Sequence, residues 1–278
     1  MAEFGVGCKL QRVASQAVCC VVLAACAQVL LAEDPPAAKP PRIALFSPLG
    51  VQPGQKNRIT LRGWSLKEAT AVVADSDGLK ITVVSHATAP IPAKQKAEQI
   101  GDEQLELDIE VPADHTTRQV QVVVRTAAGE SAPRPLPIGS SLPVLQEQEA
   151  NDGFRNAQSV SIPQLITGSI HADANVDVFA FELSQPACLQ IRVEAAALGS
   201  NLDALLTLLT ADGSILAGND DNRSAASPPA QRDSQLQVNL QPGRYLVTLQ
   251  DAQDRGGPAH PYQLTLQHSQ IDPETPAK

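Results

Sequence analysis

The chain is poor in the residues that most small-molecule sites are built from. Its 278 residues include one tryptophan, two tyrosines, five phenylalanines, one methionine and five histidines. Such scarcity argues against a carbohydrate-binding platform of exposed rings, because most of the few aromatics fall at strand positions that face a core. Cysteine is scarcer than its count suggests. Four of the five, Cys8, Cys19, Cys20 and Cys26, lie near the N-terminus, which leaves Cys188 and no internal disulfide to hold an exported fold together. Cys188 opens the alternating run CLQIRVEA and reads as a buried strand residue, not a nucleophile. Catalytic signatures are absent too. There is no GxSxG elbow, no HExxH and no glycine-rich phosphate loop, and His86, His115, His171, His260 and His268 are scattered without metal-ligand spacing. Nothing separates a pair of glycosidase carboxylates from ordinary acidic loops, so the sequence predicts a protein that is not an enzyme.

Positive charge is also in short supply. Twenty-one Lys and Arg face thirty Asp and Glu, a formal charge of −9, and no Lys/Arg cluster exists to hold a phosphate backbone or an anionic membrane surface. Nucleic acid is excluded as a partner; cations are favoured. Long apolar runs are missing after the first 32 residues, which excludes a later membrane-spanning helix.

What is present begins with an export signal. Lys9 and Arg12 precede the apolar run Val18 to Ala32, the arrangement of a secretory leader over residues 1–32. Cleavage alternatives stay open: Ala25-Cys26-Ala27 forms an A-x-A site, Leu23-Ala24-Ala25-Cys26 matches a lipobox that would put a lipid anchor on Cys26, and a third point follows Ala32. Plain secretion is preferred. Either route places the chain outside the cytoplasm, secreted or in the periplasm and cell envelope.

The remainder reads as all-β, two β-sandwich domains, the first immunoglobulin-like and the second jelly-roll-like. A proline-rich spacer, 33–42, leads into residues 43–139, where Ile59 and Leu61, Leu105, Leu107 and Ile109, and Val120, Val122 and Val124 alternate with polar residues. Such short period-two runs are strands with one buried face. His86 to Glu103 breaks the rhythm with Pro90 and Pro92, predicting a long exposed loop with a helical turn. A linker, 140–146, then joins a second sandwich over 147–268, built from runs such as Phe179, Phe181 and Leu183, and Tyr262, Leu264 and Leu266. Ala211-Asp212-Gly213 and Pro242-Gly243 read as hairpin turns. Residues 269–278 carry no strand pattern and form a tail.

The chemistry concentrates in EQEANDGF, Glu147 to Phe154, and HADANVDVFAF, His171 to Phe181. Calcium takes six to eight oxygens, and Glu147, Glu149, Asn151, Asp152, Asp173, Asn175 and Asp177 could supply them. Residues two apart on a strand are separated by about 6.6 Å, so Glu147 and Asn151 reach one ion only if the linker bends; otherwise two ions sit side by side. Asp173-x-Asn175-x-Asp177 starts like an EF-hand loop but has Val178 where glycine is required and Ser184 where glutamate is required. The alternative is that these carboxylates cap turns. Asp203, Asp220, Asp221 and Asp233 form a second acidic set, read as a solvated loop.

Two family resemblances follow from these residues. Asn151-Asp152, Gly168-Ser169-Ile170, Asp173, Asp177-Val178-Phe179-Ala180-Phe181, Ala211-Asp212-Gly213, Asn219-Asp220-Asp221, Gly243-Arg244-Tyr245 and Tyr262-Gln263-Leu264 resemble, in order and spacing, the bacterial pre-peptidase C-terminal domain. FSPLGVQPGQKNRITLRGWSLKEATAV, with Pro53-Gly54 at a turn and Gly63-Trp64-Ser65-Leu66 at a strand end, resembles the immunoglobulin-like IPT/TIG fold. In calcium-binding relatives of the first family an acidic linker and a loop hold the ion; the matching positions are Glu147, Glu149, Asn151, Asp152, Asp173 and Asp177. Together the resemblances imply a non-catalytic binding or adhesion module, calcium its cofactor, whose partner is an extracellular or envelope protein or polysaccharide. The alternative is an accessory module of a secreted hydrolase system, or a cryptic hydrolase with its site in the interdomain groove.

Overall fold

A computed structural model describes residues 38–222, 225 and 228–269. The expected leader, the Cys26 anchor, the first half of the proline-rich spacer and nearly all of the tail lie outside the described residues. Within them the protein is all-β, as the alternating patterns predict. No helix among the described residues is long and apolar enough to cross a membrane.

The N-terminal strands are β1 Arg42–Ser47, β2 Lys56–Trp64, β3 Ala71–Ala74, β4 Lys80–Thr88, β5 Glu103–Glu110, β6 Gln119–Thr126, β7 Gly129–Glu130 and β8 Arg134–Pro137. One sheet runs β1-β2-β5-β4; the other runs β3-β6-β7, with β8 also on β6. Their inward positions meet in one core containing Phe46, Ile59, Leu61, Leu105, Leu107, Val120, Val122 and Leu136. Alternation along each strand puts these apolar residues on a single face, so packing the two sheets buries them all.

The segment after β4 is less free than its prolines suggest. β4 continues through His86 to Thr88, and a one-turn helix, α1 Ala97–Ile100, precedes β5. Arg62, 2 % exposed, reaches under this segment, donating to the carbonyls of Ile100, Gly101 and Pro90. A buried guanidinium bound to three carbonyls fixes the loop that contains them. The loop is thereby aimed at the second sandwich.

That sandwich comprises β9 Val144–Gln146, β10 Gln158–Ser159, β11 Gln164–Ser169, β12 Val176–Leu183, β13 Ala187–Glu194, β14 Ala204–Thr210, β15 Ile215–Asn219, β16 Gln235–Leu240, β17 Gly243–Asp251 and β18 Pro261–His268. The sheets run β16-β13-β18-β11-β9 and β10-β12-β17-β14-β15. Phe179, Phe181, Ile191, Leu206, Val247, Tyr262 and Leu264 fill the space between them. Three local readings change. The linker supplies β9, which pairs in parallel with β11. Pro242-Gly243 is not a hairpin, since β16 and β17 belong to opposite sheets and the turn crosses between them. Cys188 is free and half-buried on β13.

A candidate cation site at the mouth of the second sandwich

Strand parity places the first ligand. Asp177 shares a face of β12 with Phe179 and Phe181, so it points between the sheets and is fully buried. Tyr262 points inward from β18 with Leu264 and Leu266, and its hydroxyl lies 2.8 Å from Asp177 Oδ2. The same hydroxyl lies 2.8 Å from Glu147 Oε1. A phenol has one hydrogen, so the second contact requires a proton on a carboxyl. Burial first, then the hydrogen bond and like charge of Glu147, raises the Asp177 carboxyl, so the coupled pair holds that proton.

Glu147 arrives from the turn after β9. Its Oε2 accepts from the Ser169 backbone N–H at 2.8 Å and its Oε1 from Asn151 Nδ2 at 3.2 Å. The linker therefore bends, and Glu147 and Asn151 meet, as a single-ion arrangement requires. Gly168 makes room: a Cβ there would lie 2.6 Å from the Tyr262 ring and would strike the Glu147 carboxylate. Glu149 completes the cluster. Its carboxyl is raised by burial and by Glu147, and it contacts His171 Nδ1 at 2.6 Å.

Oxygens of Glu147, Glu149 and Asp177 all lie within 4.8 Å of one another. Two ligands on one calcium are separated by at most about 5 Å, so the spacing suits a shared ion. Two further oxygens, Asn151 Oδ1 and Asp177 Oδ1, are buried without any hydrogen-bond partner. Buried acceptors are rarely left so. Oxygen-only donors, crowded like charges and orphaned acceptors together fit a hard divalent cation.

The other expected ligands go elsewhere. Asp152 Oδ1 accepts from Asn175 Nδ2 at 2.6 Å. Asp173 accepts from the Gly256 N–H at 3.2 Å and lies 3.1 Å from Lys94 Nζ; the Lys94 ammonium holds its carboxyl below the usual range. Within the second acidic set, Asp233 is not solvated. It is 5 % exposed and accepts from the backbone N–H groups of Ala195, Ala196 and Ala197, capping the 3₁₀ turn Ala196–Leu198. Tyr262 was missed by sequence reasoning, although its inward parity with Leu264 and Leu266 was visible.

The groove between the two sandwiches encloses about 500 Å³. Glu194 is the one carboxylate in its described lining, with no histidine or cysteine, and it is bound to Arg192 Nη2 at 2.6 Å. The acid–base pair of a glycosidase is not assembled there.

No family model matches the chain, and no curated protein matches it. Among solved structures it is similar to the pre-peptidase C-terminal domain of a Bacillus anthracis collagenase, at 17 % identity and TM-score 0.32, over 40 % of this chain and 93 % of that one. It is similar to the secreted serine protease VesC of Vibrio cholerae at 9 % identity and TM-score 0.24, over 83 % of this chain and 51 % of that one. A Bacteroides ovatus mixed-linkage glucan utilization locus protein, SGBP-B, solved with a mixed-linkage heptasaccharide, matches at 11 % identity and TM-score 0.23, over 79 % of this chain and 75 % of that one. At TM-scores this low none of them carries an argument about function.

Proposed function

We propose that the chain is an exported, non-catalytic binding module whose second sandwich is locked by a calcium ion held between Glu147, Glu149, Asn151 and Asp177. The observation that supports this most is the pair of orphaned, buried oxygens, Asn151 Oδ1 and Asp177 Oδ1, beside three converging carboxylates. The ion's role is structural. It ties the linker that follows β9 to the ends of β11, β12 and β18 and so fixes the side of the sandwich on which the linker runs. The Lys9/Arg12 and Val18–Ala32 pattern supports export, and the partner is an envelope or extracellular protein or polysaccharide.

Calorimetry of the metal-stripped protein tests the site. A ligand bound only by the folded form adds about 2.7 kcal/mol at a hundredfold excess over Kd, so calcium is expected to raise Tm by several degrees. Asp177→Ala and Asp177→Asn abolish the rise, whereas Asp220→Ala keeps it. Absence of both binding heat and Tm change would overturn the calcium reading. Retention of envelope material on the immobilised protein tests the binding role separately.

A further inference from the structure

The groove between the sandwiches has a floor made for hydrogen bonding. β13 and β18 bury Leu189, Ile191, Val193, Tyr262, Leu264 and Leu266, so the alternate residues face outward into the groove. Register sets Gln190 opposite Gln267 and Arg192 opposite Thr265, with strands about 4.8 Å apart. Glu194 stands opposite Gln263 and is paired with Arg192, so the floor is a grid of amides, a hydroxyl and one ion pair. Gln267 Nε2 donates to Gln190 Oε1 at 2.8 Å, leaving the Gln190 amide hydrogens and the Gln267 carbonyl oxygen available.

Gln263 points to a ligand more directly. It is 8 % exposed, lines the groove and packs beneath Gly50, where a Cβ would come within 3.0 Å of its Nε2. Its side chain has no hydrogen-bond partner among the described residues. What remains exposed of it is aimed into the groove, where its amide oxygen and nitrogen are open to solvent and not sealed off, so whatever displaces that water has to supply hydrogen bonds in its place.

We infer that this groove binds a glycan strand through its hydroxyls, which deepens the binding role proposed above without depending on the calcium ion. Each sugar hydroxyl donates and accepts, matching side chains that do both. An extended peptide suits the floor less well. Peptide docking on sheets uses the backbone of an open edge, but β13 lies between β16 and β18, and β18 between β13 and β11, so both backbones are fully engaged. Aromatic scarcity, which told against ring stacking, does not bear on recognition by amides. Arg118, exposed on the opposite wall and without an ion-pair partner among the described residues, could meet a sugar carboxylate, so neutral and uronate-containing strands share the same floor chemistry.

Native affinity electrophoresis of the mature protein, in gels containing hydroxyethyl cellulose or polygalacturonate, tests the inference. Retardation by at least one polymer is expected. Gln263→Leu and Gln190→Ala should each weaken it at least fivefold while keeping the wild-type melting temperature and calcium response. Arg118→Ala distinguishes the sources, since it weakens binding to polygalacturonate alone. The acidic chain repels a polyanion, so such retardation is specific. The inference is overturned if neither polymer retards the protein, if Gln263→Leu and Gln190→Ala are retarded like wild type, or if gelatin retards it and the polysaccharides do not. Loss of the calcium response with glycan binding intact would fault the cation site only; envelope capture without glycan binding would fault the groove only.

Discussion

His260 is fully buried and neither ring nitrogen has a hydrogen-bond partner. Burial drives its pKa down to about 4, against the opposing pull of Asp251 and Asp173 and with the help of Arg255. The imidazole is therefore neutral in the fold and free to charge in the unfolded chain. Above pH 6.5 neither state binds the proton and the full stability is present. As pH falls from 6.5 to 4 the unfolded state takes up a proton that the folded state refuses, and roughly 3 kcal/mol is lost. His260→Leu should flatten that part of the profile. Urea midpoints measured at half-unit pH steps, compared between wild type and variant, isolate this residue from carboxylates that titrate in both.

At the scale of elements, the decisive join is between the linker after β9 and the end of β11. Gly168 is required there for closeness, not for an unusual dihedral: any side chain would enter space held by the Glu147 carboxylate and the Tyr262 ring. Gly168→Ala should cost about 1–3 kcal/mol through overpacking and should also eliminate the calcium-induced rise in Tm. Urea melts with and without calcium check both. A variant that loses stability but retains the calcium increment would show that Glu147 is not placed by this contact. Many of the longer strands were legible from alternation, but β9 was not, because its three residues carry too little periodicity to distinguish a short parallel strand from a linker.

On the scale of the molecule, two separate cores are joined by a small cluster of Leu45, Ile100 and Ala259. Around it, Gln95 Nε2 donates to the Gly256 carbonyl, Arg134 Nη2 to the Leu198 carbonyl, and Lys94 pairs with Asp173. Exposed ion pairs contribute little, so the apolar contact is the better place to separate the halves. Ala259→Glu forces a charge into that cluster without entering either main core. Calorimetry should show one transition for the wild type and two for the variant, with calcium moving only one of them. A single transition in the variant would mean that the sandwiches are coupled by other contacts.

Alternation of apolar and polar residues determined that the chain is all-β and which face of each strand is buried, because that information is local and repeats every two residues. It also determined that Asp177 points inward, since Asp177, Phe179 and Phe181 share parity. The acidic balance argued against phosphate backbones as partners, and the place of four cysteines within the expected leader argued against an internal disulfide. Tertiary structure decided everything that depends on which face lies opposite which. Tyr262 joins the acidic cluster because β18 packs across the core from β12, a long-range pairing with no signature in either segment. Asp173 leaves the cluster because a loop held by Arg62, more than a hundred residues away in sequence, delivers Lys94 to it. Pro242-Gly243 crosses between sheets instead of closing a hairpin, and nothing in those two residues encodes where the next strand will find its partner. The glutamine grid, too, exists only once β13 and β18 are in register and the first sandwich stands over them.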